Sequence, residues 1–135
     1  MISSKELSGW ALDYVRSRDA HFRRIQDIAR RGDDFFVKFS DREVLYLIEP
    51  DMKADSLDKD KNYVLVTLNT KKNFDALIRV WPDLKAIRGL AVWFVNPNSA
   101  NETKWMINPY IHSKICDDES LKTGLKAMFD TVDVI

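Results

Sequence analysis

Three segments of this chain are apolar almost without interruption: Val44–Ile48, Tyr63–Leu68 and Leu90–Val95. A strand with one wet face alternates apolar and polar side chains, whereas an unbroken run belongs to a strand covered on both faces. Such strands require helices on each side of a sheet, so amphipathic segments must be found elsewhere in the chain. None of the three runs approaches the ~20 apolar residues that a membrane-spanning helix needs. No membrane association is expected.

The first amphipathic segment is residues 3–31. Leu7, Trp10, Ala11, Tyr14, Val15, Phe22, Ile25, Ile28 and Ala29 fall on one side of a helix with Ser3 or Ser4 as its cap and Gly32 beyond its end. Its length predicts a kink near Ser17–Asp19. Phe35–Ser40 and Val44–Ile48 flank Asp41-Arg42 and read as an antiparallel hairpin. Asn69 or Thr70 caps a helix carrying Phe74, Leu77, Ile78 and Trp81, and Pro82 ends it. Beyond Leu90–Val95 the turn residues Asn96–Ser99 lead to a short strand at Lys104–Asn108. A last helix starts at Asp117 or Asp118 and repeats Leu121, Leu125, Met128, Phe129 and Val132. The expected architecture is a single α+β (mixed α/β) domain over residues 1–135, in the order α-βββ-α-ββ-α, with a mixed sheet of about five strands.

A helix, a three-stranded meander, a helix and a further strand is the core order of restriction-endonuclease-like domains. The full string is similar to that of type III secretion chaperones, which are dimeric protein-binding modules. Both are resemblances of architecture, and architecture alone does not assign function. The nuclease resemblance implies an acid at the end of the second strand, a second acid two residues before a lysine at the end of the third, and a divalent metal between them. The corresponding positions here are Glu49 and Asp51, then Asn69 and Lys71. The lysine is in register, but an amide that brings no charge replaces the second carboxylate. Literal acid-x-Lys triplets occur at Asp51, Asp83 and Glu102, where about two are expected by chance in this composition. The plainer reading of Glu49 and Asp51 is a solvated strand end.

Lysine plus arginine number 21 and aspartate plus glutamate 21, which excludes a histone-like or polyanionic protein. The balance is uneven along the chain: residues 1–31 hold seven basic and four acidic side chains. Six of the nine arginines lie between Arg16 and Arg31. On one continuous helix Arg16, Arg23 and Arg30 share a face with Arg24 and Arg31 beside them, a stripe able to meet nucleic-acid phosphates or another anion. The competing reading is the solvent side of an amphipathic helix. Arg18 falls on the apolar side and, with Trp10, Trp81 and Trp105, is a candidate contact for a protein partner or a homodimer.

Other chemistries lack their residues. One cysteine excludes an internal disulfide, and with two histidines it leaves too few ligands for structural zinc. Cys116 and His112 stand four apart on an irregular stretch with no geometry to suggest a catalytic pair. The acids of Asp51–Asp60 lack the glycine and alternation of a calcium loop, and four scattered glycines form no phosphate-binding loop. No cofactor and no metal site are expected. The N-terminus has no signal-peptide pattern, and the reduced cysteine fits a cytoplasmic location. The expected function is a non-catalytic binding module acting on a protein partner or a second copy. The alternative is a restriction-endonuclease-like nucleic-acid-binding domain with a degenerate metal site.

Overall fold

The computed structural model describes residues 2–135. The chain is mixed α+β, with one six-stranded sheet and four helices. Its elements are α1 (Ser4–Phe22), β1 (Ile25–Arg31), β2 (Asp34–Phe39), β3 (Glu43–Ile48), β4 (Tyr63–Leu68), α2 (Lys71–Leu84), β5 (Leu90–Val95), β6 (Lys104–Ile107), α3 (Pro109–Ile115) and α4 (Leu121–Phe129). The strands lie in sequential order across the sheet. β1–β2–β3 is an antiparallel meander, β4 and β5 continue it in parallel, and β6 closes the far edge antiparallel to β5.

Two of the unbroken apolar runs, β4 and β5, end up covered on both faces, whereas β3 buries Val44, Tyr46 and Ile48 on one face and only half-buries Leu45 and Leu47 on the other. Every residue of β4 is buried. On one face Leu7, Ala11, Leu12 and Val15 of α1 pack on Val37, Tyr46, Val66 and Trp93. On the other, Phe74 and Leu77 of α2 and Leu125 and Phe129 of α4 pack on Leu65, Val92 and Phe94. Burial of this kind contributes about 1.5–3 kcal/mol per large side chain, so both layers stabilise the sheet between them.

The first expected helix is corrected most. α1 begins in a capping box, Ser3 Oγ accepting from Glu6 N at 3.1 Å and Glu6 Oε1 accepting from Ser3 N at 3.4 Å. It stops at Phe22 because Arg23 turns left-handed (φ 51°) and the Asp19 carboxylate accepts the next two free N–H groups, those of Arg24 and Ile25. Residues 25–31 are then an edge strand, and Gly32 (φ 63°) serves the β1–β2 turn instead of ending a helix. The sheet therefore has six strands where about five were expected. Residues 63–68, expected as the last strand of a meander, are the fourth strand and run parallel to β3. The resemblance to restriction-endonuclease-like domains or secretion chaperones is not established by this sheet. α2 continues through Pro82 to Leu84, since a proline in the last turn forfeits only one intrahelical bond. α3 was not expected; Asn108 caps it, accepting from Ile111 N at 3.1 Å, with Pro109 in its first turn. α4 starts at Leu121 because Asp117 spends its carboxylate on Ser120 N and Oγ, one turn ahead of the helix.

Candidate functional site

The last two turns of α1 overhang the sheet and roof a pocket of about 620 Å³. Its floor is the α1-facing side of the central strands, with Tyr46 of β3 and Trp93 of β5. Tyr14 and Arg18 come from the roof, four residues apart on one helical face, and the Arg18 guanidinium donates to the Tyr14 hydroxyl at 3.3 Å. The β2–β3 turn brings Arg42, and the start of β1 brings Arg24. Three guanidiniums thus face one carboxylate, that of Asp19, which is already engaged by backbone N–H groups. Arg42 also pairs with Asp41 at 3.0 Å on the exposed side of the turn. Neither Arg18 nor Arg24 has a carboxylate partner among the described residues.

Each of these arginines lies over an aromatic ring: Arg18 over Tyr14 (5.9 Å), Arg24 over Phe22 (5.4 Å) and Arg42 over Phe39 (4.7 Å). Rings beneath a guanidinium fix its plane and its direction. The floor is itself aromatic, with Trp93 meeting Tyr14 edge-on at 84° and Tyr46 at 70°. Tyr46 is only 5% exposed, yet its hydroxyl has no hydrogen-bond partner among the described residues. Among the described residues Trp81 Nε1 is the one fully buried side-chain N or O atom without a partner, so the Tyr46 oxygen keeps some accessible surface and is free to donate or accept. Burial pushes its pKa up to about 12, against a smaller opposing pull from Arg42 and Arg18. It therefore stays a neutral donor at any physiological pH.

The acidic and amide candidates of the nuclease resemblance lie at the opposite end of β3 and β4, each held by a different neighbour. Glu49 accepts from Lys53 N (2.8 Å) and Ala54 N (3.0 Å), closing the loop after β3. Asp51 is exposed, 3.6 Å from Lys72 Nζ, and Lys71 Nζ lies 3.5 Å from Asp75. Asn69 is fully buried and faces away from all three. Its Nδ2 donates to the carbonyls of Val132 (3.1 Å), Phe129 and Asp133 (3.4 Å each), and its Oδ1 accepts from Trp105 Nε1 at 2.8 Å. Among the described residues no group of three or more His, Cys, Asp or Glu side chains is placed to share a metal ion.

The arginine stripe does not form, because its helix ends at Phe22. Arg16 stays exposed on α1, Arg23 is the helix C-cap, and Arg30 and Arg31 point to opposite faces of β1. Arg30 approaches Ser8 Oγ at 3.5 Å and Arg31 lies over Phe36. Only Arg24 of that set reaches the pocket. Of the interface candidates, Trp81 and Trp105 are core residues, Trp105 stacking on Phe94 at 4.3 Å. Trp10 is half-buried and stacks on Tyr14. Arg18 is exposed and belongs to the pocket. Against family models, curated proteins and solved structures, the chain matches none. Arg42, Tyr46 and Trp93 were not singled out in the sequence. They lie on separate strands and turns, and only the sheet brings them together.

Proposed function

We propose that this chain is a binding module whose ligand site is the pocket beneath the C-terminal turns of α1, and that the ligand it holds is anionic. One observation carries the reading: the Tyr46 hydroxyl, accessible and without a protein partner among the described residues, lines the same pocket as Arg18 and Arg42. A neutral O–H donor in one pocket with guanidiniums suits an oxyanion, and the positive charge of Arg18 and Arg42 disfavours a cation there. The pocket volume falls within the roughly 300–1,000 Å³ of small-molecule sites. This keeps the non-catalytic binding role expected from the sequence but moves it from a protein surface to a cavity. The tryptophans that suggested a protein partner are largely spent on the core. The nuclease alternative draws no support from Asn69, whose amide is fully used inside the fold.

The test is thermal unfolding in sodium phosphate against sodium chloride at matched ionic strength. Phosphate at about ten times its Kd stabilises the folded chain by about 1.4 kcal/mol. Arg18→Gln removes that gain and leaves the midpoint in chloride unchanged. Equal midpoints in both salts for the parent chain refute the reading.

A further inference from the structure

We propose that the pocket takes a mononucleotide unit, a phosphate monoester carried on a planar base, with the phosphate between Arg18 and Arg42 and the base against the aromatic rim. The inference rests on the anion-binding reading and specifies its ligand. A bare anion would use the guanidinium end alone and leave most of the 620 Å³ empty. The remaining surface is built for a flat, polar-edged group. Phe22 is 61% exposed at the mouth, a large apolar side chain left in water, and Arg24 lies 5.4 Å from its ring centroid. An exposed ring beside a guanidinium is the platform on which nucleobases stack, at about 1–3 kcal/mol per base.

Two amides also line the pocket. Asn108 uses its Oδ1 to cap α3, so its Nδ2 is left without a partner among the described residues. Asn62 holds Glu43 O through Nδ2 at 3.3 Å and is fixed beside Gly89. Amides at a pocket wall read the donor and acceptor edge of a base. At the phosphate end the guanidinium forks supply paired N–H donors, and Tyr46 adds an O–H that burial keeps protonated. Arg30 and Arg31 lie on β1 outside the pocket, so the guanidiniums that line it are Arg18, Arg24 and Arg42, enough for one or two phosphates.

The same chemistry is offered by a free mononucleotide and by the terminal nucleotide of a single strand. Isothermal titration of the full chain with inorganic phosphate, adenosine, AMP, and a ten-nucleotide oligoadenylate with or without a 5′-phosphate separates the cases. AMP is expected to bind at least tenfold more tightly than phosphate or adenosine. Arg18→Gln and Arg42→Gln each weaken AMP at least tenfold, and Phe22→Ala severalfold, all three side chains being exposed and their loss leaving the unfolding midpoint in place. Tyr46→Phe weakens AMP and phosphate alike. Binding of the 5′-phosphorylated strand as tightly as AMP, with no binding of its 5′-hydroxyl counterpart, assigns the ligand to strand ends; binding of AMP alone assigns it to the free nucleotide. Phosphate binding with no gain from the base overturns this inference and leaves the anion site standing. If neither phosphate nor AMP binds, both fail.

Discussion

Asn69→Asp is the substitution that would complete the acid-x-Lys pattern, and the structure predicts that it damages the protein instead of activating it. Asn69 is wholly buried and its Nδ2 hydrogens are shared among three carbonyl oxygens at 3.1–3.4 Å. A carboxylate there sets an anionic oxygen against those three acceptors and keeps one favourable bond, that from Trp105 Nε1. Burying a charge without a counter-ion costs about 3–5 kcal/mol. In a chain this size, 1 kcal/mol corresponds to roughly 3–5 °C, so the unfolding midpoint should drop by roughly 10–20 °C at neutral pH. The burial that disfavours the anion raises the introduced carboxyl's pKa above its unfolded value of about 3.9. The unfolded state then releases its proton first, so the deficit is small in acid and widens as pH rises above about 4. Trp105→Phe, which removes the indole bond and part of a buried ring stacked on Phe94, should cost about 2–4 kcal/mol but with no pH dependence. Circular dichroism melts at pH 4 and 7 measure this, alongside plasmid cleavage in Mg²⁺ or Mn²⁺. An Asn69→Asp chain that melts with the parent, or that gains metal-dependent cleavage, refutes the reasoning.

Three further outcomes follow from particular contacts. A Cβ at position 89 would overlap Asn62 Oδ1 and stand 2.9 Å from the Lys61 carbonyl oxygen, so Gly89→Ala should destabilise by about 1–3 kcal/mol in urea titrations. Ser3→Ala breaks the capping box of α1 and should cost about 0.5–2 kcal/mol, while Ser4→Ala, one residue inside the helix, should be near neutral. Hydrogen bonds from Ala100 N and the Asn101 amide hold the Asp133 carboxyl below the ordinary aspartate value of 3.8. Its contribution is therefore complete above that pH and is lost as pH falls through the depressed value. Asp133→Asn should melt below the parent at pH 6, and the two should converge under acid conditions below pH 3.8.

The parts of the fold that were legible in the sequence are those where one physical signal dominates. β3, β4 and β5 stand out as unbroken apolar runs; β4 and β5 are covered on both faces, while β3 alternates buried Val44, Tyr46 and Ile48 with half-buried Leu45 and Leu47. β1 was hidden for a specific reason. A register shift between Ile25 and Asp27 lets Ile25 and Ile28, three residues apart, both pack on the α1 layer. In a regular strand they would face opposite sides. With the bulge, an edge strand shows the spacing of a helix, and its exposed residues supply the polar remainder. α3 carried a readable signal, Asn108 as cap and Pro109 at the first position, which the adjoining strand obscured. The candidate site was only half visible. Arg18 and Arg24 are prominent because arginines crowd that part of the chain. What makes them a site is Tyr46 and Trp93 on the floor and Arg42 on the β2–β3 turn, and their meeting depends on sheet order, which no local pattern records.

The most direct test of the pocket as the anion site is a phosphate titration followed by ¹H–¹⁵N correlation spectra, because four tryptophan indoles report from different places in the fold. Trp93 lines the pocket, whereas Trp81 and Trp105 are in the opposite layer and Trp10 lies along α1. The account predicts saturable shifts of the Trp93 indole and of the Arg18, Arg42 and Tyr46 amides, with the Trp81 and Trp105 indoles unmoved. Shifts confined to Arg30 and Arg31 on β1, or to the Glu49–Lys71 end of the sheet, would contradict it, as would a spectrum that phosphate leaves unchanged.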